Sequence, residues 1–105
     1  MESYEKFWPY YLKEHSKPLT RTFHYVGSVL ALALLFWVAL FNQWGLILVA
    51  LVCGYGPAWF SHYFIENNRP ATFKAPLWSL FSDFRMLFYF LTNRLKGELI
   101  KYKIE

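Results

Sequence analysis

His15, His24 and His62 are the only histidines in the chain, and imidazole is the commonest protein ligand for a transition metal. Each lies at the end of an apolar segment. Glu66 follows His62 by four residues, so on a helix the two project from one face. Such a pair supplies an imidazole and a carboxylate to one metal, or one ligand and the partner that fixes its tautomer. The plainer alternative is a helix-end carboxylate paired with Arg69. Imidazole with carboxylate suits Fe(II), Zn or Mn, and a site with open positions suits non-haem iron. Arg69 offers a planar fork that fits a carboxylate or phosphate, or else it meets lipid headgroups. Asp83 lies on the polar face of a third apolar segment, where it holds a ligand histidine or pairs near Arg85.

These residues need elements that carry them to one place. From Tyr25 to Ile65 there is no Asp, Glu, Lys or Arg. That run is too long for one membrane crossing and suits two, since a span needs roughly 20 residues. Asn42-Gln43-Trp44-Gly45 is a turn signal near its middle. Spans are expected over about 19–41 and 44–65, folded back on each other as a hairpin. Counted outward from the turn, His24 and His62 stand at similar distances, so at ~1.5 Å rise per residue they reach a similar depth. Gly27, Ser28 and Ala31 share the face of His24, while Gly54, Ala58 and Ser61 share that of His62. Small residues at such spacings let membrane helices approach closely. Two imidazoles meeting there either hydrogen-bond across the helix interface or, with His15 beside them, hold a metal.

The flanks read as amphipathic helices at the membrane interface. Residues 3–15 put Trp8, Tyr11, Leu12 and His15 on one face, with Pro9 pulling the start of the helix toward itself. Pro18 suits the first turn of the next helix. A kink is expected near Pro57. Residues 77–92 set Leu77, Leu80, Phe81, Phe84, Leu87, Phe88 and Leu91 against Ser79, Ser82, Asp83, Arg85, Tyr89 and Thr92. Such a helix lies in the interface or turns its polar half to protein. Asn93–Glu105 reads as a solvated helix end. The chain is thus expected to be all-α, a single membrane domain over residues 1–105.

Composition narrows the function classes. Aromatics make up 23% of residues and crowd the segment ends, as an interfacial belt does. The net charge of +4 forms no basic tract, which argues against nucleic acid as a partner. The turn carries no Lys or Arg while both flanks do, so the positive-inside rule puts both termini in the cytoplasm. No cleavable apolar leader is evident in the charged first 24 residues. Cys53, the single cysteine, can form no internal disulfide. Phosphate-binding glycine loops, nucleophile elbows, haem-attachment motifs and dense desaturase-type histidine boxes are all missing.

Three stretches carry a resemblance. They are Phe7-Trp8-Pro9-Tyr10-Tyr11-Leu12 with Glu14-His15-Ser16; Phe23-His24-Tyr25-Val26-Gly27; and Trp59 to Phe64 with Glu66, Asn68, Arg69, Pro70 and Ala71. Over residues 4 to 95 the chain resembles the MPO-type 2-hydroxy fatty acid dioxygenase-like family, in its compact bacterial form. The resemblance implies an Fe(II)-dependent membrane enzyme that uses O₂ to shorten long-chain 2-hydroxy fatty acids by one carbon. It implies His15, His24 and His62 as iron ligands, and a bacterial inner-membrane location. Glu66 and Arg69 are the residues expected to assist catalysis. Two other readings fit the same residues: a non-catalytic membrane scaffold, and a metal-dependent lipid hydrolase.

Overall fold

A computed structural model describes residues 3–104 of the chain. Residues 1, 2 and 105, the ends of the expected domain, lie outside the described residues. Five α-helices follow in order: α1 (Tyr4–Lys13), α2 (Pro18–Phe41), α3 (Ile47–Ser61), α4 (Pro76–Leu91) and α5 (Leu95–Lys101). No strand occurs among the described residues. Short 3₁₀ turns at Trp44–Leu46 and Ala71–Phe73 and a π-helical turn at His62–Glu66 complete the path.

α1 starts earlier than Pro9 suggests. Ser3 caps it, its hydroxyl accepting from the Lys6 N–H at 3.4 Å, and Pro9 sits inside the helix. The bond that proline removes belongs to the carbonyl of Glu5, an exposed residue that water can reach. The helix also ends earlier, at Lys13, so His15 stands in the connection to α2 and not on α1. Pro18 occupies the first turn of α2, where its missing N–H costs nothing. At the far end Asn42 takes a left-handed conformation (φ 53°) and the chain turns back.

Pro18–Phe41 and Trp44–Glu66 are long and apolar enough to cross a membrane. They pack on small residues: a Cβ on Gly27 would stand 2.6 Å from the Gly54 carbonyl oxygen, and one on Gly54 would stand 3.2 Å from Ala31 Cβ. Their outer faces are apolar and open, with Leu40, Val52 and Phe64 each more than half exposed.

The buried core lies elsewhere. Phe7, Trp8, Tyr11 and Leu12 of α1 pack with Ala71, Met86 of α4 and Leu95 of α5. α4 turns its polar half inward: Ser79 and Ser82 are buried while Leu77, Phe81 and Leu91 are exposed. The Tyr4 hydroxyl meets the Ser82 hydroxyl at 2.8 Å, and the Arg85 guanidinium lies 4.1 Å over the Trp8 ring. The tail is not simply solvated. Leu95 is buried, Leu99, Tyr102 and Ile104 pack on the core, and Glu98 accepts from Trp8 Nε1 at 2.9 Å.

The α2–α3 contact yields a paired prediction. Gly27→Ala must push two backbones apart, and such overpacking costs ~1–3 kcal/mol. Gly56 has open space around its Cβ position, so Gly56→Ala leaves stability unchanged or raises it by up to ~1 kcal/mol. Thermal unfolding of the two variants in detergent checks the difference; equal midpoints would remove Gly27 as the contact that sets helix separation.

Candidate metal centre

Three separate elements deliver the histidines. His15 comes from the connection after α1, His24 from the second turn of α2, and His62 from the π-helical turn that ends α3. A π turn widens the backbone ring by one residue and re-aims a side chain, and such turns gather at functional sites. Here the Asn68 N–H returns to the His62 carbonyl at 2.9 Å. Asn67 makes the bend possible with a left-handed φ of 61°.

The rings converge. His15 Nε2 lies 2.9 Å from His24 Nε2 and 3.0 Å from His62 Nε2. One nitrogen from each of the three rings falls within 4.8 Å of the others, and all three residues are buried. The ring planes stand at 81–90° to one another.

The other ring nitrogens decide what this convergence means. His15 Nδ1 is 2.6 Å from the Tyr11 carbonyl oxygen, His24 Nδ1 is 3.0 Å from that of Thr20, and His62 Nδ1 is 2.6 Å from Asn68 Oδ1. Asn68 Nδ2 donates to the Glu14 carbonyl at 3.0 Å, which fixes Oδ1 as the atom that faces His62. All three partners can only accept, so each Nδ1 donates its hydrogen, and a neutral imidazole then has a bare lone pair on Nε2. Three lone pairs therefore point at one another with no hydrogen between them. A cation between them would relieve that arrangement. His15 Nε2 stands about 3 Å from each of the other two ring nitrogens. The donor set fits a transition metal, with the hydrogen-bonded carbonyls as the outer partners that orient each ring.

Tyr11 extends the support. Its ring stacks on His15 with centroids 4.0 Å apart, and its hydroxyl donates to Asp83. Burial pushes the Asp83 carboxyl up to about 7, against the pull of that hydrogen bond. Asp83 thus reaches His15 through Tyr11 and does not touch a histidine itself.

The two other expected site residues are not among the three converging groups. Glu66 accepts from the Ser16 hydroxyl at 3.0 Å and from the Lys17 N–H at 2.6 Å. It pins the link between His15 and His24 to the π turn of His62, instead of pairing with Arg69. Arg69 is exposed on the following loop. A different arginine is buried beside the cluster: Arg21 Nη1 donates to the His15 carbonyl at 2.8 Å and to the Ser16 carbonyl at 2.9 Å. Arg21 does not announce itself in the sequence, and Asn68 enters there only as part of the resemblance, since each acts through a backbone carbonyl or a loop conformation.

Residues 1–95 match the family model described as 2-hydroxy-palmitic acid dioxygenase Mpo1-like. The chain belongs to this family. Comparison with curated proteins and with solved structures finds no significant match. The Mpo1-like match takes in all three histidines, Glu66, Arg69 and Asp83, and stops at Leu95, the first residue of α5.

His15 also sets a pH expectation. Burial first, then the neighbouring His24 and His62, hold its pKa well below the ordinary 6.5. A depressed pKa keeps the ring neutral as pH falls through 6.5, so a metal displaces no proton from it. Zn(II) uptake by metal-free protein should stay flat between pH 8 and 6, where ordinary imidazoles already lose affinity. An affinity that falls with a midpoint near pH 6.5 would show the ring to be solvated and titrating normally.

Proposed function

We propose that this chain is an Fe(II)-dependent membrane dioxygenase that shortens long-chain 2-hydroxy fatty acids by one carbon. The observation that carries this reading is the convergence of three bare Nε2 atoms, taken with membership of a family named for 2-hydroxy-palmitic acid. Iron held by His15, His24 and His62 supplies a redox-active centre with open positions. The chain's own residues do the rest. The Tyr11, Thr20 and Asn68 oxygens hold the three rings in their donor tautomers. Glu66 locks the Ser16–Lys17 link against the π turn, a positioning role.

The acyl tail has a place to lie. A cavity of about 210 Å³ runs between α2, α3 and α4 from Ser28, one turn beyond His24, toward Leu35 and Ile47. Asp83 and Ser28 stand among otherwise mostly apolar walls. In this reading α2 and α3 form a hairpin across a bacterial inner membrane. The turn near Asn42 faces outward, both termini face the cytoplasm, and α1 and α4 lie at the interface. Arg69, next to the His62-holding Asn68, is the proposed cation for the substrate carboxylate.

The stoichiometry closes without an added reductant. A 2-hydroxy acid and one O₂ give the acid one carbon shorter, CO₂ and water, with all four electrons drawn from the substrate. Protein loaded with Fe(II) should convert 2-hydroxypalmitic acid in this ratio and leave palmitic acid untouched, with O₂ uptake matching product by mass spectrometry. Product formed at full rate without O₂ would overturn the oxygenase reading and favour hydrolysis. Replacement of any one histidine by Ala should strip most of the iron, whereas Cys53→Ala should keep it.

Arg69→Lys separates binding of the headgroup from binding of the metal. A point charge does not reproduce a planar fork, so activity should fall on the order of tenfold with iron content unchanged. Parallel loss of iron and activity would make Arg69 a structural residue of the loop.

A further inference from the structure

A second cavity, lined by basic as well as apolar residues, lies on the other side of Arg21's backbone contacts, with none of the three histidines in its lining. It has a volume of about 500 Å³ and lies where the start of α2 meets the end of α4 and α5. Arg21, Lys96 and Asn93 line it on one side, with Tyr25, Phe90 and Leu99 among its apolar walls. Arg21 is 8% exposed, so most of the residue is out of water.

The partners of that guanidinium, the His15 and Ser16 carbonyl oxygens and the Tyr25 phenol beside it, are neutral. Among the described residues no carboxylate stands within ion-pair distance of it. Glu66 caps the same helix start but is bonded to Ser16 and Lys17. A buried charge without a counter-charge is costly. The positive end of a 24-residue helix adds to the same potential, and no acidic residue occupies its first turn. Lys96 then faces the cavity from α5 with a second positive charge. The cavity is a site for an anion, and its aromatic and aliphatic walls suit an anion that carries a hydrocarbon chain.

We infer that the Arg21–Lys96 cavity binds the phosphate of an anionic phospholipid at the membrane surface. Arg21 links this site to the metal centre, because the guanidinium that faces the phosphate also braces the backbone of His15. A basic pocket beside membrane helices is a recurrent form of headgroup recognition. The inference does not depend on the dioxygenase reading.

Native mass spectrometry of the delipidated full chain in detergent tests it, with phosphatidylglycerol and phosphatidylcholine of identical chains as probes. One phosphatidylglycerol should be retained with a preference on the order of tenfold over phosphatidylcholine. Lys96→Glu and Arg21→Gln should each bring that preference close to unity, while Lys13→Glu, the same charge change on α1, should leave it in place. Lys96→Glu leaves the His15 brace intact, so it reports on the pocket even if Arg21→Gln fails to fold. Equal retention of the two lipids, or a preference that survives Lys96→Glu, would overturn the inference. Displacement of phosphatidylglycerol by equimolar inorganic phosphate would reassign the site to a soluble anion.

Discussion

Three hydrogen bonds from ring Nδ1 atoms to oxygens that can only accept govern this molecule. Tyr11 and Thr20 give backbone carbonyls, and Asn68 gives a side-chain one. Each leaves a lone pair on the opposite nitrogen, and the three lone pairs meet in a buried space. Without those acceptors the rings would exchange hydrogens with one another and form an ordinary polar knot between helices. With them, the three lone pairs face one another, an arrangement that suits a cation. Neutral tautomers, closeness and burial together make a site of what would otherwise be three interior histidines.

The rest of the architecture serves that geometry with an inverted distribution of polarity. α4 buries Ser79 and Ser82 and exposes Leu77, Phe81 and Leu91. α1 sends Tyr4 and Tyr11 to the α4 side chains Ser82 and Asp83, and Trp8 to Glu98 of α5. Polar groups thus bind the helices together from inside while the outward faces stay apolar. The close approach at Gly27 and Gly54 does the same for α2 and α3 by shape alone.

Much of this was legible in the sequence, for physical reasons. A charge-free run with a central turn signal marks Pro18–Phe41 and Trp44–Glu66, because burial of charge in lipid is costly whatever the tertiary detail. The matching distances of His24 and His62 from Asn42 follow from constant helical rise. What depends on a single loop conformation was not legible. The π turn at His62–Glu66 has no local sequence signature. Glu66, read as a metal partner or a mate for Arg69, is committed to Ser16 and Lys17, which lie 49–50 positions away. The tail, read as solvated, hides Leu95 in the core because a few apolar residues among charges give no clear period. Nothing in the sequence around Arg21 marks it as buried; only the three-dimensional fold reveals it.

His15 belongs to neither long helix. It follows α1, and α1 is held in place by Ser82, Asp83 and Glu98, residues made near the end of the chain. Synthesis delivers the N-terminus first, so the earliest ligand waits for the latest contacts. A nascent chain can pair α2 with α3 and bring His24 to His62, yet it presents only two of the imidazoles there until α4 and α5 dock against α1. The arrangement orders assembly: the third imidazole joins the other two only after the last helices have docked, and without α4 and α5 the contacts that hold α1 would be missing.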